Sequence, residues 1–303
     1  MTKTIAIITG GNSAEYEISI NSAKVVKAHL DKVKYKSIIV QIKQEEWKAI
    51  INDISFEIDK TDFSFQMGEE KILFDVAFMA LHGPPAENGE LQRYFDKIDL
   101  PYTSCGAKQS ALTFNKSLCK EKLVEIGCLC AKSVTYKNKD TINSNEIIEK
   151  VGLPCFVKPN SSGSSFGISK VIKKNDIARA ILLALAHDNQ VLIEQFIDGT
   201  EVACGIFTNK NNIHILPVTE IVSHNDFFDY EAKYKSLSDE ITPARISKKE
   251  NEKVQNITKE VYHKLGLKGI VRIDYIIKQG ALFLIEINTA LSILIDLSHN
   301  IYS

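Results

Sequence analysis

An α/β fold is the expectation for this 303-residue chain, and three stretches carry it. Residues 4–9 read as an apolar strand that meets Gly10-Gly11-Asn12-Ser13 and then a helix, the strand, glycine turn, helix opening of an α/β unit. Residues 133–210 alternate short apolar runs with helical patterns. Late in the chain, Arg272-Ile273-Asp274 is followed twelve residues on by Glu286-Ile287-Asn288. Strand side chains alternate faces, so Arg272 and Asp274 share one face, as do Glu286 and Asn288. A turn centred on Gly280 sets Asp274 opposite Glu286 and Arg272 opposite Asn288. Ile273, Tyr275, Ile277, Ile285 and Ile287 then face a core.

The elements follow in order. Apolar residues at helical spacing predict a helix over 18–30, then strands at 37–40 and 74–81, the latter running into His82-Gly83. After Pro101-Tyr102-Thr103 a helix over 108–126, ended by Gly127, carries the chain onward. Strand 133–136, helix 145–150, strand 154–158, helix 176–187 and strand 191–197 come next. Glu201 opens another strand, followed by strand 213–222, a polar aromatic loop over 224–245, a helix over 248–265 and the hairpin. No internal repeat or low-complexity stretch interrupts them.

Composition narrows the function classes. At 44% hydrophobic and 25% charged, the chain is ordinary globular material, long enough for two or three domains. A net charge of -1 provides no polyanion footprint, so nucleic acid is not an expected partner, and the cluster Lys170, Lys173 and Lys174 reads as a solvated helix approach. The opening apolar run is too short for a signal peptide or membrane span, which makes it a first strand in a cytoplasmic protein. Six cysteines show neither CxxC nor zinc-like spacing, so reduced, buried thiols are expected.

The polar hairpin face offers hard oxygen ligands of the kind Mg2+ takes alongside water and phosphate oxygens; a solvated hairpin face is the plain alternative. Pro154-Cys155-Phe156-Val157-Lys158-Pro159 reads as a strand ending in a lysine, followed by Asn160-Ser161-Ser162-Gly163-Ser164-Ser165-Phe166-Gly167. Small residues there let backbone N–H groups and hydroxyls approach phosphate oxygens. The loop matches neither the Walker pattern nor the dinucleotide fingerprint, and it reads equally as a simple turn. Lys116 falls within the 108–126 helix, where a solvated role is the plain reading. Glu194-Gln195-Phe196-Ile197, with Glu201 beyond, has the spacing of a linker whose backbone reads an adenine and whose carboxylate reads ribose hydroxyls.

The order Lys116, Lys158 with its loop, Glu194 to Ile197, Glu201, then Asp274, Glu286 and Asn288, resembles the ATP-grasp superfamily. Gly10-Gly11-Asn12-Ser13-Ala14-Glu15, Leu81-His82-Gly83 with Glu87-Asn88-Gly89, Gly163-Ser164-Ser165-Phe166-Gly167, and Phe228-Asp229-Tyr230-Glu231-Ala232-Lys233-Tyr234 are similar to the D-alanine:D-alanine ligase family. The resemblance spans roughly residues 4–289. It implies an ATP-grasp fold: an N-terminal α/β substrate domain over 1–103, a small subdomain over 104–197, and a C-terminal subdomain with the Mg-binding hairpin over 198–303.

It also implies a reaction for peptidoglycan synthesis. ATP phosphorylates the carboxylate of one D-alanine, and the amine of a second attacks the acyl phosphate, chemistry that needs positioned charge more than a protein nucleophile. By position, Lys116 and Lys158 hold ATP phosphates, with Ser164 and Ser165 in the loop beside them, and Lys233 reaches the γ-phosphate. Glu194, Gln195, Phe196, Ile197 and Glu201 take the nucleoside. Asp274, Glu286 and Asn288 carry two Mg2+, with Mn2+ able to substitute, and Arg272 steadies the tetrahedral oxyanion. Glu15 holds the first substrate's ammonium, with His82 nearby. Tyr234, Ser164 and Glu15 form a latch that keeps water from the acyl phosphate. Each has a plainer alternative: Glu15 as a helix cap, His82 as a satisfied loop histidine, Tyr234 as packing. The Lys233-Tyr234 pair favours an amine over a hydroxy acid as second substrate, and the family implies a cytoplasmic homodimer.

The resemblance breaks after Asn288-Thr289. Where the family continues with a proline-glycine-methionine-threonine turn, a serine-leucine pair and a closing helix, this chain reads Ala290-Leu291-Ser292-Ile293-Leu294-Ile295-Asp296-Leu297 and ends at Ser303. Losing oxyanion donors costs about a hundredfold or more in rate each. ATP and Mg2+ binding are expected to survive that change and dipeptide formation to suffer; the alternative is an ATP-binding but catalytically impaired member, or another ATP-grasp carboxylate-amine ligase. Smaller departures are Pro84-Pro85-Ala86 after His82-Gly83, and Asn88 where the family has Asp.

Overall fold

β1, Lys3–Gly10, is buried from Ile5 through Gly10 because both of its faces are covered. Ile5 and Ile7 pack on Ala23 and Val26 of α1, Tyr16–His29, while Ala6 and Ile8 join a second core with Leu91 and Phe95. The computed structural model describes residues 2–163, 167–209, 212–223 and 238–289. They fall into two compact units, one comprising the described residues up to Ala111 together with Thr289, the other Leu112–Asn288.

In the first unit β1 pairs in parallel with β2, Tyr35–Lys43, and with β7, Val76–Met79. Beyond β2 the sheet grows by an antiparallel meander that the sequence reading passes over: β3 Glu46–Ile51, β4 Ile54–Asp59, β5 Ser64–Met67 and β6 Glu70–Ile72. These strands are short and charged on their open face, which blurs alternation. Their turns were the better signal: Asn52 and Asp53 both take positive φ, 49° and 62°, the two-residue hairpin turn whose twist matches that of the strands. Phe63, Phe65, Phe74 and Phe95 fill the space beneath, the last on α2, Glu90–Lys97.

Gly10 shows why the first turn needs glycine. Its φ is 93°, and a Cβ there would stand 2.3 Å from Ile42 O. Gly10→Ala is expected to lower unfolding free energy by about 3 kcal/mol, combining left-handed strain with a backbone clash; chemical denaturation measures it.

One predicted helix is corrected where the chain passes into the second unit. Residues 108–126 are not continuous but form α3, Ala107–Phe114, and α4, Lys116–Glu125. Asn115 between them is extended and accepts from Leu118 N, the geometry of a helix N-cap, so Lys116 opens a helix rather than lying inside one. The chain then builds the antiparallel sheet β10-β9-β11-β8, from β8 Ser133–Lys137, β9 Cys155–Pro159, β10 Ser169–Val171 and β11 Gln190–Gln195. α5, Ser144–Val151, and α6, Ile177–Leu185, cover one face through Ile147, Val151, Ile177 and Ile181 against Val157, Val191 and Ile193. Phe156, Lys158 and Glu194 are left on the other face.

The five-stranded sheet β14-β13-β12-β15-β16 comprises β12 Thr200–Asn209, β13 Asn212–Ser223, β14 Ser238–Ile241, β15 Val271–Lys278 and β16 Ala281–Asn288. α7, Lys248–Lys264, starts with a capping box of Ser247 and Glu250 and packs Val254 and Val261 inward. Its buried Thr258 hydroxyl lies 2.8 Å from that of Tyr275.

The β15–β16 register is the expected one, Arg272 opposite Asn288 and Asp274 opposite Glu286, around a Gln279-Gly280 turn with φ of 50° and 76°. One residue differs. A bulge between Asp274 and Tyr275 sets Tyr275 opposite Leu284, so Leu282 and Leu284 join the buried face with Ile287, and Ile285 turns to the cavity side with Ile276. The consecutive apolar pair Leu284-Ile285 is the mark of that phase change in the sequence.

Candidate active site

The second unit encloses a cavity of about 490 Å³ between strands of its two sheets. Phe156, Lys158 and the linker Glu194 to Gly199 form one wall; Thr200, Glu201 and Glu220 to Ser223 a second; Asp274, Ile276, Ile285 and Glu286 a third. Apolar side chains and opposite charges thus share one concavity.

Lys158 and Glu194 stand on adjacent strands of the same face and bond at 2.7 Å, Lys158 Nζ to Glu194 Oε2. A residue that sequence reasoning missed, Lys120 of α4, donates to the other carboxylate oxygen. Glu194 is 5% exposed, and burial would raise its pKa, but the two ammoniums override it and hold it at about 2. Burial opposes the charge of Lys158 too, yet Glu194 keeps its pKa above that of an ordinary lysine. Because the carboxylate is depressed from 4.5 to about 2, its stabilisation is present above pH 4.5 and lost as pH falls towards 2. At about 1.4 kcal/mol per unit this amounts to about 3 kcal/mol. An acid titration of unfolding free energy is expected to fall across that window and to flatten in Glu194→Gln; equal slopes would contradict it.

Lys116 donates to Ser162 O at 2.6 Å and stands 3.8 Å from Glu286 Oε1. Its helix is held to the loop by Asn160, also missed, which is 1% exposed. The Asn160 carbonyl accepts from Lys116 N at 3.0 Å, its Oδ1 from Ser117 N at 2.9 Å, and its Nδ2 donates to Asn115 Oδ1 at 2.9 Å. No spacing rule announces such contacts, because the partners lie more than forty residues apart.

On the hairpin, Arg272 grips Asp274 with both arms, Nε to Oδ1 at 2.8 Å and Nη2 to Oδ2 at 2.9 Å. Asn288 Nδ2 donates to the same Oδ2 at 2.9 Å. The patch is therefore cross-linked and holds its charges in fixed places. Among the described residues, no group of three or more His, Cys, Asp or Glu is gathered for a metal, so the donor set here is two carboxylates and an amide. Those are hard oxygen donors, which fit Mg2+ when phosphates and water complete its shell.

In the linker, Gln195 N donates to Lys132 O at 2.9 Å and Phe196 N to Pro154 O at 3.2 Å. The Phe196 ring stands 5.8 Å from that of Phe156 and carries the Lys170 ammonium 4.4 Å from its centroid.

The first unit holds Glu15 and His82 together. Both are buried, 5% and 2% exposed. Glu15 occupies the position before α1 but makes no side-chain cap there. Its backbone is fixed by Ser13 Oγ, which accepts from Glu15 N and donates to His82 O, each at 3.2 Å. His82 N donates to Ser19 Oγ at 2.9 Å, and His82 Nε2 lies 3.0 Å from Ser22 Oγ. Burial lowers the His82 pKa, with Glu15 pulling the other way, so the site favours the neutral ring. Ser164, Ser165, Lys233 and Tyr234, and the divergent stretch from Ala290 onward, lie outside the described residues. None of the six cysteines is in a disulfide, and burial pushes the thiol of Cys119 up to about 12. Among the described residues, no helix is long and apolar enough to cross a membrane.

The chain as a whole is similar to known proteins. A family model described as D-ala D-ala ligase N-terminus matches residues 4–105, and one described as D-ala D-ala ligase C-terminus matches residues 125–292. The D-alanine–D-alanine ligase of Flavobacterium johnsoniae is 50% identical over 288 residues, which is 95% of this chain and 89% of the relative. Among solved structures, the VanG D-Ala:D-Ser ligase from Enterococcus faecalis superposes with a TM-score of 0.82 at 31% identity, covering 96% of this chain and 91% of that one. D-alanyl-alanine synthetase A from Vibrio cholerae gives 0.86 at 25% identity, covering 97% and 91%. With both models matched along most of its length and a relative at this identity, the chain belongs to the D-alanine–D-alanine ligase family, an ATP-grasp fold.

Proposed function

We propose that this chain joins two D-alanines into D-alanyl-D-alanine at the expense of ATP, the peptidoglycan-building reaction of its family. The observation that carries the reading is a cavity of the second unit, lined by Lys158 and Glu194 together with Asp274, Glu286 and apolar side chains. A nucleotide fits that combination: base on Phe156, Ile276 and Ile285, ribose hydroxyls at Glu201, phosphates at Lys158 and Lys116. With Gln195 N and Phe196 N already spent, backbone reading of the base falls to the linker carbonyls and Ile197.

Asp274, Glu286 and Asn288 are the residues to hold Mg2+, which when bound supplies positive charge against the phosphate oxygens. The chemistry itself is two displacements. A carboxylate oxygen of the first D-alanine bonds to the γ-phosphorus as the bond to the bridging oxygen breaks, giving ADP and an acyl phosphate. The amine of the second D-alanine then bonds to the acyl carbon, loses a proton, and phosphate leaves. Arg272 suits the oxyanion of that second step, because its bidentate grip on Asp274 uses Nε and Nη2 and aims Nη1 elsewhere. Glu15, buried beside His82, suits an ammonium. Ser164, Ser165, Lys233 and Tyr234 keep the loop and latch roles that the family resemblance implies. The family resemblance also supports a homodimer working in the cytoplasm.

The test is an acceptor panel. ADP release with D-alanine as donor and D-alanine, D-serine or D-lactate as acceptor is expected to be fastest with D-alanine, with the dipeptide identified by mass. Preference for D-lactate would overturn the amine reading.

A further inference from the structure

Lys120 is built into the site through Glu194. α4 presents Lys116 and Lys120 one turn apart on the same face, Lys116 towards Glu286 and Lys120 onto Glu194. Lys120, Glu194 and Lys158 are each 14% exposed or less, and each Glu194 oxygen takes one ammonium. Charge counting gives the consequence. A buried Lys158–Glu194 pair alone is neutral, so an arriving phosphate would have to compete with Glu194 for the lysine. With Lys120 the triad carries one net positive charge.

We propose that Lys120 is a positioning residue for nucleotide binding: by taking one oxygen of Glu194 it leaves the Lys158 ammonium able to turn its charge to phosphate. The proposal rests on Lys158 being a phosphate lysine, as read above.

Calorimetric titration with the non-hydrolysable ATP analogue AMP-PNP and Mg2+ tests it without depending on turnover. Lys120→Met is expected to weaken binding about tenfold, a magnitude in keeping with removing one charge from a partly buried cluster, and Lys120→Arg to stay within about threefold of the parent. The deciding variant is Lys120→Met with Glu194→Gln, which keeps an acceptor but removes the competing charge; it is expected to regain most of the lost affinity. A scaffold role for Lys120 predicts the opposite, since the double variant lacks both partners, and failure to recover overturns the proposal. Unchanged affinity in Lys120→Met overturns it as well. Glu194→Gln alone, which needs no Lys120 variant to fold, is expected to bind about threefold tighter, and weaker binding there also counts against the proposal. Lys158→Met is the control: full affinity in that variant would remove the phosphate-lysine reading and the proposal with it.

Discussion

Asp274→Asn is expected to lower kcat for D-alanine-dependent ADP release by about a thousandfold while the fold holds. Asp274 sits at the centre of the polar hairpin patch, bound through both oxygens to Arg272 and through Oδ2 to Asn288. Asparagine keeps the shape and can still accept from Arg272, so the strand pairing with Glu286 has no reason to slip. The negative charge disappears, and with it one of the two oxygens that accept from Arg272 and Asn288. Without that charge the patch loses one of two carboxylates suited to Mg2+, and the Arg272 guanidinium loses its nearest counter-charge at the place where substrate charge is handled. Steady-state kinetics read the loss, and circular dichroism with a thermal melt shows whether the protein is still folded. A variant within tenfold of the parent would remove Asp274 from the chemistry.

The second large effect is on nucleotide affinity. Lys158→Met is expected to weaken ATP binding about a hundredfold, the order that one charge-assisted phosphate contact is worth in a partly enclosed site. Stability should change much less, because Glu194 keeps Lys120 as its counter-ion and is not left as a bare buried charge. Equilibrium binding of a fluorescent ATP analogue separates the two effects. A large drop in melting temperature with little loss of affinity would make Lys158 a structural lysine.

Much of this was legible in the residue order, for reasons that particular residues make plain. The hairpin was readable because its register followed from alternation and a two-residue turn at Gly280, and Arg272, Asp274, Glu286 and Asn288 come together as expected. Ile285 was misplaced because a bulge breaks the period of two after Leu284, and alternation cannot see past a phase change. The 108–126 helix was read through Asn115 because apolar spacing continues across it, although Asn followed by a polar residue is a recognisable cap. The meander of residues 46–72 hid behind its charged open face. Lys120 and Asn160 were invisible for another reason: their partners are distant in sequence, and only the packed sheet and helix bring them together.

Incubating the purified chain with ATP, Mg2+ and D-alanine, then identifying the products by mass, tests most directly whether it spends ATP to join two D-alanines. D-alanyl-D-alanine formed in step with ADP and phosphate is the predicted result. Nucleotide bound in the Lys158 cavity with no D-alanine-dependent phosphate release and no dipeptide would contradict it.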